Sequence, residues 1–126
     1  MDPADRKYTE EHEWVLVDGD TAVVGITHFA QDQLGDVVYV ELPKVGERVE
    51  QMKPFGVIES VKTASDLFAP VTGTVVEVND ALTDAPQQVN DAPYEAGWLI
   101  KVKPDNASEI DSLMTADQYS QHVGGA

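Results

Sequence analysis

Phe55-Gly56-Val57-Ile58-Glu59-Ser60-Val61, then Lys62, then Thr63-Ala64-Ser65-Asp66, and further on Gly73-Thr74-Val75-Val76-Glu77-Val78, is the stretch on which the fold turns. Apolar and polar residues alternate in both outer segments, so the dominant period is two and not 3.6. Pro54 opens the first segment and Gly73 the second. An echo surrounds them: Gly46-Glu47-Arg48-Val49-Glu50 precedes the first as Gly73-Thr74-Val75-Val76-Glu77 lies beyond Lys62. Each flank is a turn glycine followed by an alternating strand. Lys62 therefore falls near the centre of a quasi-symmetric pair of β segments, at or near a tight turn.

Outward from that centre the same period continues. Thr21-Ala22-Val23-Val24-Gly25-Ile26 follows Asp18-Gly19-Asp20, a hairpin-turn signal. Val37-Val38-Tyr39-Val40-Glu41-Leu42 is stopped by Pro43, and Trp98-Leu99-Ile100-Lys101-Val102 completes the set. Short strands divided by Gly, Pro, Asn and Asp predict an all-β sandwich or barrel. Two places read as helical. Thr27 is placed to cap His28 to Leu34, with Gly35 to end it. Ser108 and Asp111 stand near capping-box spacing, with Ile110, Leu113 and Met114 on one face, and Thr115 starts a second turn through Tyr119. The expectation is one domain over 1–126, with an N-terminal extension over 1–7 and a frayed tail over 123–126.

Charge narrows the partners. Eight basic residues against 23 acidic ones give a formal charge of −15 on 126 residues. Such acidity excludes a nucleic-acid binder, which needs clustered Lys and Arg, and disfavours an anionic membrane surface. With 42% hydrophobic residues the chain still has enough apolar mass for a core. The absence of cysteine excludes disulfides, thiolate metal sites and cysteine catalysis. The acidic start Met1-Asp2-Pro3-Ala4-Asp5 lacks a signal peptide's apolar run, and no stretch reaches a membrane span, so a cytoplasmic protein is expected.

Between Pro54 and Ile100 there is one basic residue, Lys62, among seven acids. An exposed turn lysine is most often simply solvated. A lysine protruding from a rigid hairpin is also what a modifying enzyme needs to reach the ε-amine, and acylation would turn the cation into an amide. A Schiff-base lysine would need desolvation, which the polar flanks oppose.

Glu59-Ser60-Val61-Lys62-Thr63-Ala64-Ser65-Asp66, followed by Ala69-Pro70-Val71-Thr72-Gly73, resembles the lipoyl-attachment hairpin of the glycine cleavage system H-protein family. Tyr8-Thr9-Glu10-Glu11-His12-Glu13-Trp14-Val15 is similar to that family's N-terminal motif. Gly25-Ile26-Thr27 with Ala30-Gln31, then Leu34-Gly35-Asp36 through Pro43, resembles its second block. Val78-Asn79, Pro86, Val89-Asn90 and Pro93-Tyr94 through Gly97-Trp98 resemble its last. The likeness runs from about Tyr8 to Tyr119.

The resemblance implies a mainly β, lipoyl/biotinyl-type β sandwich (a barrel-sandwich hybrid) with short peripheral and C-terminal helices. It implies a carrier and not an enzyme, with no catalytic residue and no metal. Lipoate would be joined by an amide to Lys62. The arm would take the aminomethyl group of glycine from a pyridoxal-phosphate-dependent glycine decarboxylase (P-protein) and pass it to a folate-dependent aminomethyltransferase (T-protein). A dihydrolipoyl dehydrogenase (L-protein) would reoxidise it, and a lipoate-attaching enzyme would install it. Glu13 and Asp66 would hold the cationic amine of the loaded arm by charge-assisted hydrogen bonds. Gln33 matches a helical position that is His in some members, so no imidazole titrates there. At Glu13 and Asp66 a solvated charge is the plain alternative.

Other motifs carry less. His12, His28 and His122 lack metal-ligand spacing and read as structural or solvated. No phosphate-binding or dinucleotide glycine fingerprint and no Gly-x-Ser-x-Gly elbow occurs. Met52-Lys53 resembles the Met-Lys pair of biotin carriers, but Pro54 and a strand follow it. Trp14 and Trp98 read as core fillers. Besides the glycine cleavage carrier, a biotinyl carrier and a lipoate-relay protein of the same fold stay open.

Overall fold

The computed structural model describes residues 3–124. It contains nine strands: β1 (Lys7–Tyr8), β2 (Glu13–Asp18), β3 (Thr21–Ile26), β4 (Val37–Glu41), β5 (Arg48–Val49), β6 (Pro54–Ser60), β7 (Ala64–Phe68), β8 (Gly73–Val78) and β9 (Ile100–Pro104). Between and after them lie α1 (His28–Leu34), α2 (Ala81–Asp84), α3 (Gln88–Asp91), α4 (Ser108–Asp111) and α5 (Ala116–Gly124). All pairings are antiparallel. One sheet runs β1-β2-β3-β9-β8-β5 and the other β4-β6-β7, an open sandwich and not a closed barrel.

The two sheets close on one core because each strand turns alternate apolar residues inward. Val24, Val75, Ile100 and Val102 from the larger sheet meet Val40, Ile58 and Leu67 from the smaller. A second cluster forms where α5 covers β1 and β2: Tyr8, Trp14 and Tyr119 are fully buried, and the two tyrosine rings stack at 4.9 Å. Trp14 is a core filler as expected, its Nε1 donating to the carbonyls of Ile26 and Pro93. Trp98 is only half-buried, beneath the Lys101 ammonium at 5.1 Å.

The sequence echo has a definite structural meaning. Ile58 faces Ser65 and Glu59 faces Ala64; farther out Val49 faces Gly73 and Arg48 faces Thr74. Between these ladders Ala69 N donates to Lys53 O, and Met52 N to Ala69 O. Residues 46 to 75 thus form one long antiparallel ribbon, centred on Val61 and Lys62, whose tip belongs to the small sheet and whose base joins the large one.

Several boundaries differ from expectation. The strand expected over 98–102 runs from Ile100 to Pro104, because the Asn79 side chain captures the carbonyls of Ala96 and Trp98 in the preceding turn. Thr27 does cap α1, accepting from Ala30 N, and Gly35 ends it at φ 81°. Ser108 is not a cap: Asn106 Oδ1 accepts from its N–H and hydroxyl. Ile110 and Leu113 enter the main core while Met114 joins the second cluster, so the three share no single face. Thr115 opens α5 through a reciprocal box with Gln118, and the helix continues past Tyr119 to Gly124. Of the expected frayed tail, Val123 and Gly124 are therefore helical; of the expected extension, Lys7 pairs in β1 and Arg6 lies over Trp14 at 4.6 Å. Residues 1, 2, 125 and 126 lie outside the described residues. No helix among those described is long and apolar enough to cross a membrane.

Candidate functional site

Ser60 builds the turn that carries Lys62. Its N–H donates to Thr63 O at 2.8 Å, and its Oγ accepts from the N–H groups of both Lys62 and Thr63 at 3.2 Å. Val61 N donates to Asp36 O at 3.0 Å, which pins the turn to the loop after α1. Lys62 is exposed, as expected, and none of the ion pairs among the described residues includes it.

Thr63, the next residue, already lines a cleft of about 470 Å³. Strand β7 forms one wall, α1 another, and the start of β2 the floor. Phe29, Leu34, Ile58 and Leu67 supply apolar walls, while Glu13, Gln33 and Asp66 supply polar ones. Three residues singled out from the sequence, far apart in the chain, thus meet in one cavity beside Lys62. Their settings differ sharply. Asp66 and Gln33 are exposed at the rim, whereas Glu13 is 2% exposed.

Glu13 is buried, so the plain alternative of a solvated charge does not hold there. Its Oε1 accepts from Thr9 Oγ1 at 2.7 Å and its Oε2 from Phe68 N at 3.3 Å. Thr9 Oγ1 in turn accepts from the N–H groups of Glu11 and Glu13, which commits its own proton to the carboxylate. Burial nonetheless outweighs these bonds and pushes the Glu13 carboxyl up to about 8. Burial thus disposes the acid at the floor of the cleft toward its neutral form.

His12 is a cleft residue that sequence reasoning passed over as merely structural. It stands at φ 72°, and its Nδ1 meets Tyr119 Oη at 2.7 Å, the same hydroxyl that meets Thr27 Oγ1. Burial and the nearby His122 lower its pKa and favour the neutral ring. A His-Glu pair at the start of β2 was its only sequence signal. His28 bonds Gln31, and no group of acids, histidines or cysteines among the described residues could hold a metal. Lys53 lies in the arm of the ribbon beside Met52 at φ 65°, away from the tip that carries Lys62, so the Met52-Lys53 pair does not form a carrier hairpin of its own.

This geometry has close relatives. Residues 6–125 match the family model described as glycine cleavage H-protein. The chain belongs to the glycine cleavage H-protein family. It is 58% identical to the glycine cleavage system H protein of Bacillus subtilis (strain 168) over 119 residues, covering 94% of each chain. The H protein of Geobacillus kaustophilus is 57% identical over 121 residues, covering 96% of this chain and 95% of that one. A crystal structure of a glycine cleavage system H protein from Mycobacterium marinum superposes with a TM-score of 0.90 at 44% identity, covering 98% and 99% of the two chains. The lipoyl-type sandwich and the H-protein assignment stand on these likenesses together.

Proposed function

We propose that this H-protein family member is a non-catalytic carrier whose lipoyl arm is joined by an amide to Lys62, and that Glu13 and Asp66 hold the arm's cationic amine. The observation that carries the reading is the cleft beside Lys62, with apolar walls and a buried carboxyl at its floor. Apolar walls suit an aliphatic chain, and an acid with free lone pairs suits an ammonium at the end of it. The lipoyl group, when bound, supplies a disulfide that accepts and releases the one-carbon amine. The protein's own residues do the rest. Ser60 and Asp36 hold the turn, Phe29 and Leu34 exclude water, and the Thr9 hydroxyl and Phe68 N–H aim the Glu13 carboxyl into the cleft.

The partners that follow are the decarboxylase, the aminomethyltransferase, the dihydrolipoyl dehydrogenase and the enzyme that attaches lipoate. A tethered arm serves several sites without release, so the gain is effective concentration. Intact mass after incubation with lipoate and lipoate–protein ligase is the test, with Lys62→Ala as control. Addition of one lipoyl group to the native chain and none to the variant is expected; lipoylation of Lys62→Ala would overturn the assignment. Glycine–bicarbonate exchange with the decarboxylase then separates a glycine cleavage carrier from a lipoate-relay protein.

A further inference from the structure

Asn90 lies outside the cleft, half-buried in α3, and spends its whole side-chain amide on one loop. Its Nδ2 donates to Gly35 O at 2.8 Å and to Gln31 Oε1 at 3.0 Å, and its Oδ1 accepts from Val37 N at 2.8 Å. These partners are the last turn of α1, the glycine that ends it and the first residue of β4, so both ends of the Gly35–Val37 loop are clamped. The carbonyl between them, Asp36 O, is the one that receives Val61 N. Gly35 carries the Lys62 stem: a Cβ added there would stand 3.3 Å from Lys62 Cε. The clamp is itself anchored. Val89 is fully buried beside it, and Gly97 packs so tightly on α3 that a Cβ would come within 2.6 Å of Gln88 O.

We infer that Asn90 is a positioning residue for Lys62: by fixing Gly35 and Asp36 it sets the height and direction at which the lysine stem leaves the ribbon tip, and so the entry of an attached arm into the cleft. Only a carboxamide has the required inventory, and Gln would set it one methylene farther from these partners. Two donors and one acceptor match two carbonyl-type oxygens and one N–H. Aspartate would keep the bond from Val37 N but set an oxygen against Gly35 O and Gln31 Oε1, so the nearest isostere fails on two of three contacts. The side-chain hydrogen bonds of Asn90 go to neither Lys62 nor a residue of the cleft lining, which makes its effect separable from binding. The consequence for the arm rests on the carrier reading above; the control of the turn does not.

The test uses the full chain, first unmodified. Amide hydrogen exchange is followed by NMR at Val61, whose N–H reports the Asp36 contact, and at Val75 and Val102 in the core. Asn90→Ala and Asn90→Asp are each expected to speed exchange at Val61 about tenfold or more, with the core amides within about twofold of the native chain. Gln31→Ala, which removes one bond of the clamp but leaves those to Gly35 and Val37, is expected to leave Val61 within about twofold. Unchanged exchange at Val61 in the Asn90 variants would overturn the inference, and so would loss of core protection in parallel with Val61, since that marks a merely structural residue. After lipoylation and loading, the amine-bearing arm of Asn90→Ala is expected to be released several-fold faster; an unchanged lifetime would overturn the part concerning the arm. If the native chain accepts no lipoyl group, the carrier reading fails while the Val61 result still decides the role of Asn90.

Discussion

Glu13→Gln is expected to make the protein more stable at alkaline pH while emptying the cleft of its acid. The Glu13 carboxyl moves from an ordinary 4.5 to about 8 on folding. Because the folded value is raised, the proton-bound fold is the favoured one. Its stability contribution is complete below about 4.5, declines as pH rises and is gone above about 8. At 1.36 kcal/mol per pK unit, the whole excursion costs about 5 kcal/mol, and about 3 kcal/mol of it is already lost at pH 7. Glutamine never ionises and escapes that loss. It introduces a different one, because its NH₂ cannot accept from Thr9 Oγ1 or from Phe68 N, and one of those donors is left unsatisfied at about 1–2 kcal/mol. The variant should therefore be slightly less stable than the native chain at pH 5, equal near pH 6, and more stable by about 3 kcal/mol at pH 9. Urea unfolding of both proteins at pH 5, 7 and 9 measures this directly. A Glu13→Gln variant that remained the less stable of the two at pH 9 would refute the argument that burial dominates this carboxyl.

Three further outcomes follow from the same geometry. Asp66→Ala and Glu13→Ala should both accept a lipoyl group at Lys62 and yet shorten the lifetime of the amine-loaded arm, with Glu13→Ala having the larger effect because its carboxyl is the buried one; a native lifetime in Glu13→Ala would remove that residue from the site. Gly25→Ala should cost at least about 2 kcal/mol, since its Cβ would stand 2.5 Å from Cε2 of the fully buried Trp14 on the neighbouring strand; a melting temperature within 2 or so degrees of native would show that the ring has room to move. The rate of reaction with the decarboxylase should fall as ionic strength rises, because a chain of charge −15 is drawn to basic rims by a screened field; a rate independent of salt would count against steering.

What the sequence made legible is what local pattern encodes. Strands β3 and β8 were read to the residue because β-branched residues alternate within clear turn signals, and α1 because Thr27 and Gly35 bracket it. Strand β7 carries little such signal: Ala64-Ser65-Asp66 is small and polar, and it is a strand because β6 pairs with it. Helices α2 and α3 are single turns of four residues, too short to show a period. The site divides in the same way. Lys62 stood out as a lone cation at a turn. Nothing near Glu13 in the chain announces its burial, because the N–H that meets its carboxyl belongs to Phe68, 55 residues later. Asn90 was still less visible, with partners 53 to 59 residues away that only the packing of α3 on α1 brings within reach.

The setting of Lys62 and the raised Glu13 carboxyl bear together on the proposed loading of the arm. An unmodified lysine beside an ionised, desolvated carboxylate would be drawn to it, because an ion pair out of water is strong and a flexible stem can fold back. Such a lysine would hide its amine from any acylating enzyme. The Lys62 ammonium instead stays exposed at the ribbon tip, in none of the ion pairs among the described residues. The proposed acylation would remove that cation and take the chain from −15 to −16. On that reading the amine at the end of the arm would be the cation that reaches the buried carboxyl, and its arrival would favour the ionised form that burial alone opposes. Under the proposed carrier function, a raised carboxyl and a solvent-facing lysine would be two halves of one arrangement, the exposed amine taking the arm and the buried acid meeting the cation at its end.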